Sequence, residues 1–180
     1  MRPLILATAL LAASPAWAES ALTPAASQTH LATNARAPGV TVRPSGLQVR
    51  ILKNGVGRRF APGDALQIYY TAKLINGKVV DGTTPGLPAP LDPAQTLKGL
   101  GEGLAAMREG DRWEMTLPPM LAFGSKGGGN GLVPPDQAMV FDVTIASVTP
   151  AARAAAERNV SGFGVTARNG ETRAFWAIQP

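Results

Sequence analysis

Between Leu66 and Leu74 the chain alternates without a break: Leu66, Ile68, Tyr70, Ala72 and Leu74 on one side, Gln67, Tyr69, Thr71 and Lys73 on the other. A period of two sends successive side chains to opposite faces, so this segment is predicted to be a half-buried β-strand. The same period runs through Leu47, Val49 and Ile51, through Trp113, Met115 and Leu117, and through Met139, Phe141, Val143 and Ile145. Asn76-Gly77 marks a tight hairpin, because both residues tolerate positive φ, and the chain returns through Lys78, Val79, Val80 and Asp81. The period changes once. Leu97, Leu100, Leu104 and Met107 recur at helical spacing, with Gly110 as the expected C-cap. Gly101 and Gly103 each cost about 1 kcal/mol relative to alanine inside a helix, so packing against a sheet must hold it.

The predicted order is strand, hairpin, loop, one helix, strand, glycine-rich loop, strand. That order implies an α+β fold with an antiparallel sheet packed on one short helix. The loop "GTTPGLPAPLDPAQT" carries four prolines, whose missing amide donors make it a poor central strand. Residues 19–44 are small, polar or proline and read as an N-terminal arm or linker, with a short helix around Leu31 to Arg36. Residues 45–149 form the main domain. Residues 150–180 form an extension with the helix-like "AARAAAER" and a hairpin at Asn169-Gly170.

The first residues change the picture of where the protein works. "MRPLILATALLAASPAWAES" has Arg2, an apolar run from Leu4 to Ala13 and the small-x-small triplet Ala16-Trp17-Ala18. This is the pattern of a secretory signal spanning residues 1–18, cut after Ala18, and it implies a periplasmic or secreted protein. The apolar run is shorter than the roughly 20 residues a membrane-spanning helix needs. With no cysteine, the folded domain must stand on its core alone. The formal net charge is +5, but apart from Arg58-Arg59 the basic residues are scattered. A solvated basic surface is expected rather than a nucleic-acid interface, and contact with a membrane surface stays open.

Chemistry that breaks bonds finds little support. Triad catalysis needs a base, and the single histidine, His30, lies in the predicted arm. Ligation of a metal by histidine or cysteine is likewise unsupported. Glu102, Glu109, Asp111 and Glu114 read as helix-end and surface charges. "GSKGGGNG" lacks the Gly-Lys-Ser/Thr step into a helix that a phosphate loop needs. What remains is a reaction served by a shaped apolar pocket and backbone amides. Rotation about an X-Pro bond is one, with a barrier of about 18–20 kcal/mol and no bond to break.

"GLQVRILKNG", "IYYTAKLINGKVVDG", "LKGLGEGLAAMREGDRWEMTLPPMLAFG" and "LVPPDQAMVFDVTI" together resemble the FKBP-type peptidyl-prolyl isomerase domain, over about Ser45 to Val148. The upstream "NARAPGVTVRPSGLQ" is similar to exported relatives of the macrophage infectivity potentiator type, without their long dimerising helix, so a monomer is expected. The resemblance implies a strongly curved antiparallel sheet wrapped around one short helix, with a proline pocket between them. It implies catalytic roles for Tyr70, Asp81, Leu97 and Phe123. It implies substrate contacts from Val80, Ala89, Leu91, Thr96, Leu100, Leu132, Val133 and Phe141. It implies proline-containing polypeptide clients and neither cofactor nor metal. Four positions depart from the family pattern, which usually has aromatic residues at Val80, Ala89 and Leu100 and tyrosine at Phe123. These changes imply a wider pocket without one phenolic donor. The alternative reading is a catalytically weak or inactive chaperone or peptide-binding module.

Overall fold

The computed structural model describes residues 22–151. The expected signal, the helix-like "AARAAAER" beyond Ala151 and the Asn169-Gly170 hairpin lie outside the described residues. The described residues contain strands β1 (Val40–Val42), β2 (Gln48–Lys53), β3 (Ala65–Leu74), β4 (Val79–Gly82), β5 (Ala89–Leu91), β6 (Arg112–Leu117) and β7 (Met139–Thr149), with helices α1 (Pro24–Asn34) and α2 (Lys98–Ala106). All seven strands join one antiparallel sheet in the order β1-β2-β6-β7-β3-β4, and β5 pairs with β3. Register irregularities in β2, β3 and β3 against β4 bend the strands. The architecture is the expected α+β fold, a curved antiparallel sheet around the short helix α2.

The alternation is reproduced residue by residue in β3, where Leu66, Ile68, Tyr70, Ala72 and Leu74 are all buried. Trp113, Met115 and Leu117 of β6 and Met139, Phe141, Val143 and Ile145 of β7 face the same core. β2 departs from the expectation. Leu47 and Val49 are buried, but Ile51 is half exposed where the register shifts between Ile51 and Lys53.

α2 owes its glycines to proximity. A Cβ on Gly99 would sit 2.7 Å from Leu117 Cγ, one on Gly101 2.6 Å from the Pro93 carbonyl oxygen, and one on Gly103 inside the radius of Met115 Sδ. The intrinsic weakness of the helix is therefore the condition for laying its backbone against β6 and the preceding turn. α2 ends at Ala106 with Met107 as its C-cap, not at Gly110. Gly110, at φ +87, instead closes the turn into β6, beside Asp111, whose carboxylate accepts the amides of Arg108 at 2.6 Å and Gly55 at 2.5 Å. Asp111 is thus a buried structural group rather than a surface charge.

Four residues, 75–78, connect β3 to β4. Gly77 N donates to Leu74 O, Leu74 N donates to Lys78 O, and Gly77 alone takes positive φ, so Asn76 serves through its side chain, which accepts from Lys78 N at 3.0 Å. In the proline-rich loop, Ala89–Leu91 forms an edge strand, the position where a missing amide donor does no harm.

The stretch upstream of Ser45 holds α1 and β1. α1 starts at Pro24, capped by Thr23 Oγ1, and ends at Asn34, so the helix lies earlier than the expected 31–36. Gln48 and Thr116, directly opposed on β2 and β6, point away from the core, and both bond to α1 through Asn34 Nδ2 at 2.8 and 3.1 Å. α1 therefore covers the convex face of the sheet, and α2 fills the concave one.

Candidate functional site

On the concave face, residues of α2, β3 and β7 share one apolar cluster. Leu100 and Phe141 are fully buried there, with Leu97, Tyr70, Val133 and Leu91 in the same cluster. Val80, Ala89 and Phe123 pack against that cluster from its half-buried edge. Nine of the twelve expected site residues thus share one apolar body drawn from β3, β4, β5, α2, β7 and two loops. Leu91 lies toward its far end. It pairs with Leu66, four residues from Tyr70 or about 13 Å along β3, and also borders a separate cleft with Phe60 and Pro62.

Asp81 joins through Tyr70, whose phenol donates to Asp81 Oδ2 at 2.7 Å across the β3–β4 pair. The second carboxylate oxygen accepts Gly82 N at 2.8 Å. Burial, and then the hydrogen bond to Asp81, push the Tyr70 phenol far above its ordinary value, so it stays protonated and acts as a fixed donor. The backbone beneath is also tied: Tyr70 N donates to Thr83 Oγ1 at 3.2 Å and Thr83 N returns to Tyr70 O at 3.0 Å. Thr83 carries no sequence signal that marks it, and its role emerges from the strand register alone.

Leu97 is the N-cap residue of α2, with extended backbone, so its amide belongs to the group that a helix leaves without an intrahelical partner. Thr96 precedes it with its hydroxyl oxygen buried, and its methyl lies beside Gly101.

Phe123 stands between two short 3-10 turns, Pro119–Leu121 and Gly124–Lys126. Its ring lies against Gly128, where any Cβ would overlap Cδ1. Gly128 and Val133 exchange backbone hydrogen bonds at 3.0 and 3.1 Å, closing a small hairpin whose tip includes Gly129, Asn130 and Gly131, all at positive φ. The glycine run is thus the turn of a flap beside Phe123. Val133 turns inward and is buried, while Leu132 faces outward at 44% exposure. The four carboxylates set aside in the sequence are all occupied elsewhere: Glu102 by Ser45 and Arg43, Glu109 by Val148 N, Glu114 by Arg50, and Asp111 as above.

The arrangement sets an apolar floor, Leu100 and Phe141, near a carboxylate held by Tyr70 and Gly82 N and a helix-end amide at Leu97. None of these side chains is a serine, cysteine or histidine.

Residues 57–146 match the model of the FKBP-type peptidyl-prolyl cis-trans isomerase family. The chain is 37% identical over 123 residues to the outer membrane protein MIP of Legionella longbeachae, covering 68% of this chain and 52% of that protein. It is 37% identical over 120 residues to the FKBP-type 22 kDa peptidyl-prolyl cis-trans isomerase of Escherichia coli, covering 66% of this chain and 58% of that protein. Among solved structures it is similar to a peptidyl-prolyl cis-trans isomerase from Pseudomonas syringae, with a TM-score of 0.65, 26% identity, and coverage of 76% of this chain and 99% of the other. The fold defines a class of open curved antiparallel sheets packed around one short helix. Within it, this chain belongs to the FKBP-type peptidyl-prolyl cis-trans isomerase family. The chain spans about half the length of the curated relatives it matches.

Proposed function

We propose that this protein catalyses cis–trans interconversion of X-Pro bonds in polypeptide clients of the cell envelope. The observation that carries the reading is the Tyr70–Asp81 hydrogen bond of 2.7 Å at the edge of an apolar floor made by Leu100 and Phe141. The planar imide is more polar than its twisted form, because rotation breaks amide resonance. A dry floor under the proline ring therefore favours the twisted state over the planar one, and binding energy enters at the barrier. The Leu97 amide donates to a client carbonyl next to the proline and fixes the chain on one side of the rotating bond. The Asp81 carboxylate, held by Tyr70 and Gly82 N, accepts a client amide on the other side. Val80, Ala89, Phe123, Leu132 and Val133 form the walls, with Thr96 at the base and Leu91 at the far end. Exclusion of water, not proton transfer, does the chemistry.

An export signal over residues 1–18, cut after Ala18, places the protein in the periplasm or outside the cell. The reading is supported by the signal pattern and by a relative whose name describes an outer membrane protein. The isomerase domain acts as a monomer, and no helix among the described residues is long and apolar enough to cross a membrane. The test is relaxation of proline tetrapeptides with different residues before proline. The mature protein is expected to accelerate isomerisation at micromolar concentration, and Asp81→Ala is expected to lower kcat/KM by about tenfold, the loss of one charge-assisted contact. Relaxation at the uncatalysed rate sinks the enzymatic reading.

A second reading is favoured by Val80, Ala89, Leu100 and Phe123, which leave the site wider and without a phenol at Phe123. On that reading the cleft holds client chains without turning them over. Suppressed aggregation of a proline-free client, unchanged by Asp81→Ala, supports it over catalysis.

A further inference from the structure

The family match begins at residue 57, yet α1, far upstream, reaches the loop that walls the site. Ser27 on α1 is buried, at 1% exposure, and so is Gln137, at 1%. Ser27 Oγ accepts the amide of Ala138 at 2.9 Å and donates to Gln137 Oε1 at 3.3 Å. Gln137 Nε2 donates in turn to Leu22 O at 2.9 Å and to Pro135 O at 3.3 Å. One residue before Gln137, Asp136 takes positive φ and donates its amide to Gly124 O at 3.0 Å, closing the base of the loop that includes the Gly128–Val133 flap. Phe123 precedes that base, and its ring rests on Gly128.

We propose that α1 sets the position of loop 124–136 through Ser27 and Gln137, making Ser27 a positioning residue for the isomerase site. Hydrogen bonds are directional, so this contact fixes where the loop base sits as well as whether it is covered. The other end of α1 is tied differently. The Asn34 side chain bonds to Gln48 on β2 and Thr116 on β6, away from the loop. Both ends stabilise, but only the Ser27 end reaches the site walls. The kinetic consequence rests on the isomerase reading, and the structural one does not.

Ser27→Ala and Asn34→Ala are compared in the full mature chain, by tetrapeptide kinetics and by amide hydrogen exchange well below melting. Ser27→Ala is expected to lower kcat/KM about fivefold and to speed exchange at the amides of Gly128, Val133 and Asp136 about tenfold, with exchange in β3 unchanged. Asn34→Ala is expected to lower Tm while leaving kcat/KM within about twofold and the loop amides protected. Ser27→Thr, which keeps the hydroxyl, restores both readouts. If Ser27→Ala fails to fold, Gln137→Met, close in volume, is expected to open the same amides. Equal effects of the Ser27 and Asn34 substitutions on loop exchange overturn the inference. If the unsubstituted protein shows no isomerase activity, the isomerase reading fails, and the exchange comparison still decides the role of Ser27.

Discussion

On its concave face the sheet shares with α2 one apolar cluster that includes Leu100, Leu104, Met115, Val143 and Ile145, while on the convex side α1 is held by Asn34 on Gln48 and Thr116 and by Ser27 on Gln137, just before β7. The inner contact is broad, apolar and non-directional, and in the proposed function it is the floor beneath a client's proline ring. The outer contact is narrow and directional. Hydrophobic burial scales with area and tolerates small shifts, whereas a buried polar pair holds one geometry and is costly when half broken. The molecule therefore draws most of its stability from one face and the placement of a loop from the other.

The sharpest way to break this contrast is to truncate one residue on each face. Leu100→Ala removes a fully buried side chain from the concave core and is expected to cost about 3 kcal/mol in chemical denaturation, the usual transfer and cavity loss for such a change. It also removes the floor of the site, so activity falls with stability.

On the convex face the corresponding change is Gln48→Ala. Gln48 Nε2 donates to Leu31 O at 2.8 Å and its Oε1 accepts from Asn34 at 2.8 Å. Loss of these bonds is expected to cost about 1–2 kcal/mol, with peptide kinetics unchanged because neither partner touches the concave face. A Gln48→Ala protein as unstable as Leu100→Ala would show that α1 is part of the main core.

These faces also explain how far the sequence could be read. A period of two is visible wherever one face is apolar, so β3, β6 and β7, and with them the inward faces of Tyr70 and Phe141, followed from spacing, as Leu100 did from the helical period. The family motifs then supplied site roles for all three and added Asp81 and Phe123, which periodicity leaves unmarked, together with a role for the Leu97 amide. α1 was misplaced because its contacts with the domain run through Ser27 and Asn34, polar residues that look like a solvated linker until Gln48 and Gln137 are brought opposite. Gln48 itself read as an outward-facing polar residue, which it is, but a helix covers it. Met107 as the cap of α2 was hidden for a different reason: the turn after the helix is fixed by the Asp111 carboxylate, a contact across the chain that no local signal announces.

The smallest expected effect concerns His30, the single histidine, on α1 and so on the convex side. Burial lowers its pKa, and the charge of Glu114 on β6, which also pairs with Arg50 at 3.3 Å, opposes that shift without cancelling it. A histidine with a folded-state pKa below its unfolded value binds fewer protons in the folded protein. Above pH about 6.5 both states are neutral and the residue has no pH-dependent effect. As the pH falls below that value the unfolded chain protonates first, so stability declines until the folded-state pKa is passed. The unsubstituted protein is expected to show a small drop in Tm between pH 7.5 and 5.5 that is absent in His30→Gln, in a window above the titration of ordinary carboxylates. Because His30 lies on α1, on the convex side, the isomerase kcat/KM should stay level across the same interval. A parallel fall in activity would mean that the state of α1 reaches the site through more than the Ser27 contact.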